Sequence, residues 1–276
     1  MAVRGDFCFA ACGTAGLYVL ALSADGFREV ARLPLAECMD VSVAGDRLFV
    51  AAGREGFLGY EIGPDGALKE FLRHPSLGAR DVYALGDGRT WAGFNTDVFD
   101  VSDPARPRRL VGLVHQARWN RFLCPDLLGG RWAIGNTALR HLGWADLRAP
   151  AVVETEVRGY VPKTGGVCAL GDRALLVDGG KWALLSPGST EPPELKPFPA
   201  GGGASGIPRA DGTTVAICAG KAVGVWDFAD ASAPRRLANF AVPAGLETVA
   251  FWRRHLVVPG LAAGVLLSSK PITHNQ

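Results

Sequence analysis

The sequence predicts an all-β protein, because a pattern of short apolar strands recurs about every 41 residues along the chain. No segment combines a helical apolar period with helix caps over about ten residues. The 36 glycines and 18 prolines fit a chain that turns every few positions. Each copy of the pattern has an apolar anchor in its first strand: Val3, Val41, Val82, Leu123, Val167, Ile207 and Val249.

Each copy shows four strand signals in a fixed order. A polar turn such as residues 45–47 follows the first strand, and an apolar run such as residues 48–52 comes next. A glycine usually ends that run, and a third apolar segment follows, as in residues 17–22. A second turn leads into a weaker fourth strand, for example residues 109–113. The pattern predicts a single β-propeller domain over residues 1–276, with about seven four-stranded blades.

The second strands are nearly continuous apolar runs, such as residues 48–52 and 174–177. A sheet with one wet face would alternate apolar and polar side chains, whereas these strands have apolar residues at every position. We therefore expect the second strands to be buried on both faces, as in blades that pack face to face.

Residues 97–107, DVFDVSDPARP, contain a turn motif with a mechanical basis. Its Asp and Ser side chains can cap a tight turn, and its prolines end the strand ladder. A weaker copy, VWDFADASAP, spans residues 225–234. Both segments resemble the LVIVD-repeat β-propeller family, whose third strand ends in Asp-Val-Ser-Asp-Pro-x-x-Pro. The resemblance implies a propeller fold and no shared catalytic motif.

Charge and composition exclude several classes of function. The formal net charge is +2, from 29 basic and 27 acidic side chains, so no strong field attracts nucleic acid. The first residues show no charged and apolar pattern typical of a secretion signal. No apolar stretch approaches the length of a membrane helix. We therefore expect a cytoplasmic protein.

The six cysteines and five histidines predict no metal site, and no cofactor is expected. Cys8 and Cys12 would lie roughly 13 Å apart on one strand, at about 3.3 Å per residue. Cys124 and Cys168 follow the anchors of adjacent copies and could approach each other. We interpret the cysteines as small buried hydrophobic residues in a reducing compartment.

The most variable positions of the repeat fall at the predicted mouth of the channel. In a propeller, the segment before each first strand emerges on the same face as the loop between the second and third strands. These segments differ in every copy although the strands agree, which favours an asymmetric ligand. The candidate ligand-binding residues are Asp40, Asp81, Asn95, His115, Trp119, Asn120, Arg121, Asn136, Asp178, Lys181 and Glu247.

Several candidates have alternative interpretations. Asp40 and Asp81 could instead cap turns or the starts of inner strands. Arg121 lies beside an aromatic residue, so its guanidinium could bind a carboxylate through two bonds or stack on a ring. His115 and Tyr160 are suited to proton transfer if they tilt inward.

Paired arginines predict a basic patch on the opposite face, where they occupy the same turn in two copies: Arg108, Arg109, Arg235 and Arg236. This patch could bind an acidic protein segment.

Three functions remain open on the sequence. The first is a propeller that binds a peptide or small metabolite at its mouth. The second is a cofactor-independent isomerase, lyase or cyclase that uses mouth carboxylates and cations, although no motif supports a named reaction. The third is a scaffold that binds partners through the basic patch. The last blade is expected to have three strands, because few residues follow its third strand.

Overall fold

A computed structural model describes residues 1–75, 79–84, 89–92, 97–112, 122–123, 131–136, 141–146, 153–160, 165–199, 208–219, 221–242, 249–253, 255–259 and 265–267. The fold is all-β, with four-stranded sheets in a propeller-like arrangement, and no α-helix occurs among these residues. The predicted fold class is therefore confirmed at this level.

The strands are short and follow one another as antiparallel meanders. The first three sheets contain β1 (Ala2–Arg4), β2 (Phe7–Ala11), β3 (Leu17–Ser23) and β4 (Gly26–Leu33); β5 (Asp40–Ala44), β6 (Arg47–Ala51), β7 (Phe57–Ile62) and β8 (Leu68–His74); and β9 (Val82–Ala84), β10 (Arg89–Ala92), β11 (Asp97–Asp100) and β12 (Arg108–Gly112).

The next three sheets contain β13 (Phe122–Leu123), β14 (Arg131–Asn136), β15 (His141–Asp146) and β16 (Val153–Glu156); β17 (Gly165–Leu170), β18 (Arg173–Asp178), β19 (Lys181–Leu185) and β20 (Lys196–Pro197); and β21 (Pro208–Asp211), β22 (Thr214–Ala219), β23 (Ala222–Asp227) and β24 (Arg235–Ala241). A sheet of three strands follows, with β25 (Ala250–Trp252), β26 (His255–Pro259) and β27 (Val265–Leu267). Within the described residues, this last sheet has the three strands that the sequence predicts.

The chain forms two compact units, one containing Met1–Arg118 and the other Trp119–Gly264. In the first unit, the side chains of β6 alternate between two apolar clusters. Leu48 and Val50 pack in the cluster shared with β2, β3, β5 and β7, whereas Phe49 and Ala51 pack with Val82 and other residues of the third sheet. Strand β6 is therefore buried on both faces, as its continuous apolar run predicts.

The second unit repeats this arrangement at β22. Val215 and Ile217 pack in a cluster with residues of β17 to β19, including Trp182. Ala216 and Cys218 face the opposite side, with residues of β25 and β26 in the cluster. Both copies show that the second strand of a sheet lies between two neighbouring layers, and its apolar run after the first residue is unbroken for this reason.

A register shift recurs between the third and fourth strands. It lies between Val19 and Leu20, between Gly59 and Tyr60, between Val98 and Phe99, and between Val225 and Trp226. An irregularity of this kind bends the strand and increases its twist. Its repetition at one place in four sheets is structural evidence for the internal repeat.

The LVIVD-like turns have the predicted capping bonds. Asp100 accepts hydrogen bonds from the backbone amide and the hydroxyl of Ser102, at 3.1 and 2.6 Å. In the second copy, Asp227 stands in the place of Asp100 and accepts the equivalent backbone bond from the Ala229 amide at 2.9 Å, while Asp230, in the place of Asp103, accepts two bonds from Ser232 at 2.8 and 2.6 Å. The acidic residues therefore hold these turns, and the motif is structural in both places.

Candidate functional site

The loop from Cys12 to Gly16 joins β2 to β3 in the first unit. The amide of Cys12 donates to the carbonyl of Gly16 at 3.0 Å, and the amide of Gly16 donates to the carbonyl of Gly13 at 3.2 Å. Gly13 and Gly16 have φ values of 56° and 89°, in the left-handed region that favours glycine. The loop between Ala52 and Gly56, which joins β6 to β7, has the same two bonds at 2.8 and 3.2 Å.

Each of these loops pairs with the segment that leads into the next first strand. Gly13 and Cys38 exchange two backbone hydrogen bonds of 2.8 and 2.9 Å. Gly53 and Ala79 make the equivalent pair, at 2.9 and 3.1 Å. The loop between the second and third strands therefore lies beside the segment that leads into the next first strand, twice in the first unit.

Acidic side chains reinforce the second loop. Glu37 accepts a hydrogen bond from the Arg54 amide at 3.3 Å, and Glu55 accepts one from the Ala36 amide at 3.0 Å. The Arg73 guanidinium donates to both Glu55 and Glu70, at 3.2 and 2.7 Å. Glu55 is therefore committed to holding the loop, whereas the side chain of Arg54 is exposed.

Asp40 contributes to the packing between two first strands. Its Oδ2 atom accepts a hydrogen bond from the Val82 amide at 3.2 Å, and Ser42 accepts one from the Ala84 amide at 3.0 Å. Bonds of this kind satisfy backbone donors along the inner edge of a sheet. This contact fits the alternative that Asp40 caps an inner strand. Asp81 lies half-buried directly before β9.

In the second unit, Asp178 and Lys181 form the last pair of the β18–β19 hairpin. Gly179 and Gly180 between them have φ values of 56° and 78°. Two consecutive positive φ values are typical of the type I′ turn, which matches the twist of a hairpin. Asp178 is 3% exposed, whereas Lys181 is exposed, so the turn places a buried carboxylate and a solvated ammonium at one end of the hairpin.

Tyr160 donates a hydrogen bond of 2.5 Å to Oδ2 of Asp178. Burial raises the pKa of the Tyr160 phenol well above its ordinary value, and the bond to the Asp178 carboxylate raises it further. The phenol therefore stays protonated at neutral pH and donates a hydrogen bond to a carboxylate that is buried away from solvent. Tyr160, a candidate for proton transfer, therefore reaches a predicted site residue, whereas the other candidate, His115, lies outside the described residues.

Trp182 belongs to the core. Its side chain is 3% exposed and packs edge-on against Phe228, with ring centroids 5.4 Å apart. Lys196 lies 5.6 Å from the ring centroid on its outer side. The loop tip at this hairpin therefore consists of the two glycines and Lys181.

The remaining mouth candidates are not brought together by the described residues. Asn136 is the last residue of β14, where its backbone pairs with His141. The other candidates lie outside the described residues: Asn95, His115, Trp119, Asn120, Arg121 and Glu247. Their assignment stays a prediction.

Two arginines of the predicted basic patch form ion pairs within their own sheets. Arg108 lies 3.2 Å from Asp100, and Arg235 lies 3.6 Å from Asp227. Bonds from Ser102, and then from the Arg108 guanidinium, lower the pKa of Asp100 to about 2. Each of these cations therefore has an internal counter-charge, which reduces the charge that it presents to a partner.

The other two arginines of the patch differ in their surroundings. Arg236 stacks 6.0 Å from the centroid of the Trp226 ring, whereas Arg109 is exposed. Binding of an acidic partner at this patch stays a prediction.

In the described part of the chain, no group of three or more His, Cys, Asp or Glu side chains could hold a metal ion. The same residues contain no helix that is long and apolar enough to cross a membrane.

Solved structures share this fold across almost the whole chain. A structure of YCF48 bound to D1 peptide has a TM-score of 0.71 and 15% identity, covering 98% of this chain and 89% of that one. The Cps50 (Swd1) beta-propeller domain of Myceliophteria thermophila has a TM-score of 0.67 and 13% identity, covering 96% and 94%. The fold is that of a β-propeller.

A solved structure of an enzyme also shares the fold. Virginiamycin B lyase from Staphylococcus aureus has a TM-score of 0.64 and 12% identity, covering 95% of this chain and 93% of that one. No protein-family profile matches the sequence, and no curated protein matches it. At these identities the likeness shows the fold alone.

Proposed function

We propose that this protein is a binding propeller that holds an extended peptide or a small metabolite at the mouth of its channel. The proposal rests on the two loops of the first unit, which have the same backbone hydrogen bonds but different side chains. The first loop has Thr14 and Ala15 at the positions where the second has Arg54 and Glu55. Architecture alone requires the shared backbone, whereas the changed side chains fit an asymmetric ligand.

The hairpin of the second unit has different side chains again at its tip. Its tip has two glycines, with Lys181 exposed and Asp178 held by Tyr160. A peptide is a suitable ligand, because its carboxylates could pair with an exposed cation, either Arg54 or Lys181. The structure of YCF48 with a D1 peptide supports this class of partner, since it joins a propeller of similar fold to a peptide.

The wider architecture completes the proposal. We further propose one ring of seven blades over residues 1–276, of the kind that the LVIVD-repeat resemblance implies, in a protein that acts in the cytoplasm. Electron microscopy or crystallography of the full chain tests this part, and a ring of six or eight blades would contradict it.

A peptide selection tests the binding function. A random displayed library is selected on the full chain, and the enriched peptide is titrated by fluorescence anisotropy against Arg54→Ala, Asp81→Ala and Asp172→Ala. The first two variants should weaken binding at least about fivefold, which corresponds to roughly 1 kcal/mol. Asp172 lies in the turn at the other end of β18 and its side chain is 97% exposed, so this variant is the control.

Two results would contradict the proposal that the peptide binds at the mouth. The first is an enriched peptide that binds both mouth variants as well as it binds the unaltered protein. The second is equal weakening in Asp172→Ala, which would place the site elsewhere. Unfolding curves measured in parallel show whether the mouth variants stay folded.

The enzyme alternative is favoured by one observation, the short bond between Tyr160 and Asp178. A phenol with a raised pKa stays protonated near neutral pH, so it is a poor general base and a weak acid, but it can donate a hydrogen bond. An enzyme at this place would therefore use Tyr160 to donate its single O–H to an oxyanion that replaces the Asp178 carboxylate as acceptor. A lyase or isomerase screen with the protein and Tyr160→Phe tests this alternative, and equal turnover in both would contradict it.

A further inference from the structure

Cys12 and Cys38 lie on the two chain segments that pair at the first mouth loop. Cys12 directly precedes Gly13, and Gly13 and Cys38 exchange backbone hydrogen bonds of 2.8 and 2.9 Å. The Cys12 amide, which donates to the Gly16 carbonyl, also interacts with the Cys38 thiol. Both thiols are free, with Cys38 buried and Cys12 half-buried, so Cys12 can be reached from solvent.

The second loop shows that this backbone does not require cysteine. Ala52 and Ala79 stand at the positions equivalent to Cys12 and Cys38, and their loop has the same pattern of backbone bonds. Both positions are cysteine in one copy and both are alanine in the next. The paired thiols are therefore an addition to a frame that is stable without them.

We propose that Cys12 and Cys38 form a reversible disulfide when the protein meets a peroxide, and that this bond clamps the first mouth loop. Cα atoms across a hydrogen-bonded antiparallel pair are about 5.5 Å apart, and a disulfide spans Cα distances of roughly 4.4–6.8 Å. Cys12 is the residue next to such a pair, and its backbone amide acts on the Cys38 thiol directly, so the bond requires the Cys12 side chain to turn toward Cys38.

The chemistry balances with hydrogen peroxide as the oxidant. The Cys12 thiolate attacks one peroxide oxygen, the O–O bond breaks, and hydroxide leaves and takes up a proton to become water. The Cys38 thiolate then attacks the sulfur of the Cys12 sulfenic acid, the S–O bond breaks, and a second water forms. The two thiols lose two electrons and two protons in total, and one peroxide becomes two waters.

The surroundings of the two thiols make their oxidation by peroxide slow at neutral pH. Burial raises the pKa of Cys38 to about 12 and also raises that of Cys12, while Arg32 and the Met1 amino group oppose the rise at Cys12. Cys8 and Asp40 are the other ionisable groups whose charge acts on the pair. Because the thiolate is the reacting form, the rate should increase up to about tenfold for each pH unit below the thiol pKa.

Peptide mapping of the full chain tests the proposal. The reduced protein is treated with hydrogen peroxide, the remaining thiols are alkylated, and a tryptic digest is analysed by mass spectrometry. We expect residues 5–28 joined to residues 33–47, with fragment ions that place the bond at Cys12, and loss of the linkage after dithiothreitol. The oxidised protein should also melt at a higher temperature than the reduced protein, because the bond constrains the unfolded chain.

The double variant Cys12→Ala, Cys38→Ala is the matched control, since it reproduces the second loop. It should fold normally and show no peroxide-dependent change in melting temperature. The variant Cys8→Ala should keep the linkage. A bond through Cys8, a linkage between two protein molecules, or full alkylation of both Cys12 and Cys38 after peroxide would overturn the proposal.

Discussion

The first-unit loops and the second-unit hairpin join the same pair of strands in their sheets, but they are stabilised in different ways. The loops from Cys12 to Gly16 and from Ala52 to Gly56 use their backbone to pair with a neighbouring segment. The hairpin between Asp178 and Lys181 has a two-glycine turn, and its contact with the preceding segment is made by a side chain. The two longer loops are thus held by backbone pairing with a neighbouring segment, whereas the tight hairpin is held by a hydrogen bond to its buried carboxylate.

The largest expected effect is at Gly16. A Cβ atom there would overlap the Leu33 carbonyl oxygen, which is backbone and cannot move aside, and the residue has a φ of 89°. Gly16→Ala should therefore lower the free energy of unfolding by more than about 3 kcal/mol. Gly13→Ala is the control, because it has a positive φ but nothing within 4 Å of the added Cβ.

For Gly13→Ala we expect a loss of only about 1–2 kcal/mol, the cost of a left-handed backbone. Urea unfolding of both variants measures the difference. Equal losses would mean that backbone conformation alone limits the loop, and the close approach at Gly16 would be unimportant.

An intermediate effect is expected at the hairpin. Tyr160→Phe removes the donor to a carboxylate that is 3% exposed, so unfolding should become easier by about 1–3 kcal/mol. Because the phenol pKa is raised in the folded protein, its contribution is complete below the unfolded tyrosine pKa of about 10 and is lost as the pH rises beyond it.

Unfolding free energy measured from pH 7 to 11 separates this contribution from simple packing. The loss at high pH should be smaller in Tyr160→Phe than in the unaltered protein. Parallel curves for the two proteins would show that the bond to Asp178 has no share in the alkaline response.

The smallest effect is expected at the exposed end of the hairpin. Lys181→Ala should change the free energy of unfolding by less than about 0.5 kcal/mol, since its side chain is solvated.

Glu55→Ala, in the second loop, is the comparison for Lys181→Ala. It should lower the free energy of unfolding by about 1–2 kcal/mol, because it removes the acceptor for the Ala36 amide and for Arg73. Differential scanning calorimetry on both variants decides whether the hairpin tip is indeed the less constrained region.

The strand repeat could be predicted because burial on both faces requires an unbroken apolar run, and the runs at β6 and β18 are visible in the sequence. The sequence also predicted that the segment before each first strand and the loop between the second and third strands emerge on one face, since this depends only on strand direction. The bond between Tyr160 and Asp178 could not be predicted, because Tyr160 lies outside the strands, after β16, where no periodicity indicates which way a side chain points.

The sulfur pair was missed for a related reason. Spacing along one strand led to a comparison of Cys8 with Cys12, whereas the partner of Cys12 is placed by pairing between neighbouring segments. The signal that could have found it is the shared pattern of the two loops, A-x-G-x-x-G, at residues 11–16 and 51–56. Aligning these loops shows that cysteine replaces alanine at the position before the first mid-loop glycine.

The register shift between the third and fourth strands of four sheets has a consequence for behaviour at high concentration. A propeller presents the outer edge of every blade to solvent, and a flat edge of this kind can recruit a strand from another molecule. The extra residues of the outer strands, opposite the steps Val19/Leu20, Gly59/Tyr60, Val98/Phe99 and Val225/Trp226, twist these edges away from the flat geometry that such recruitment requires. The irregularities therefore help to keep a chain made of repeated sheets from assembling into fibres.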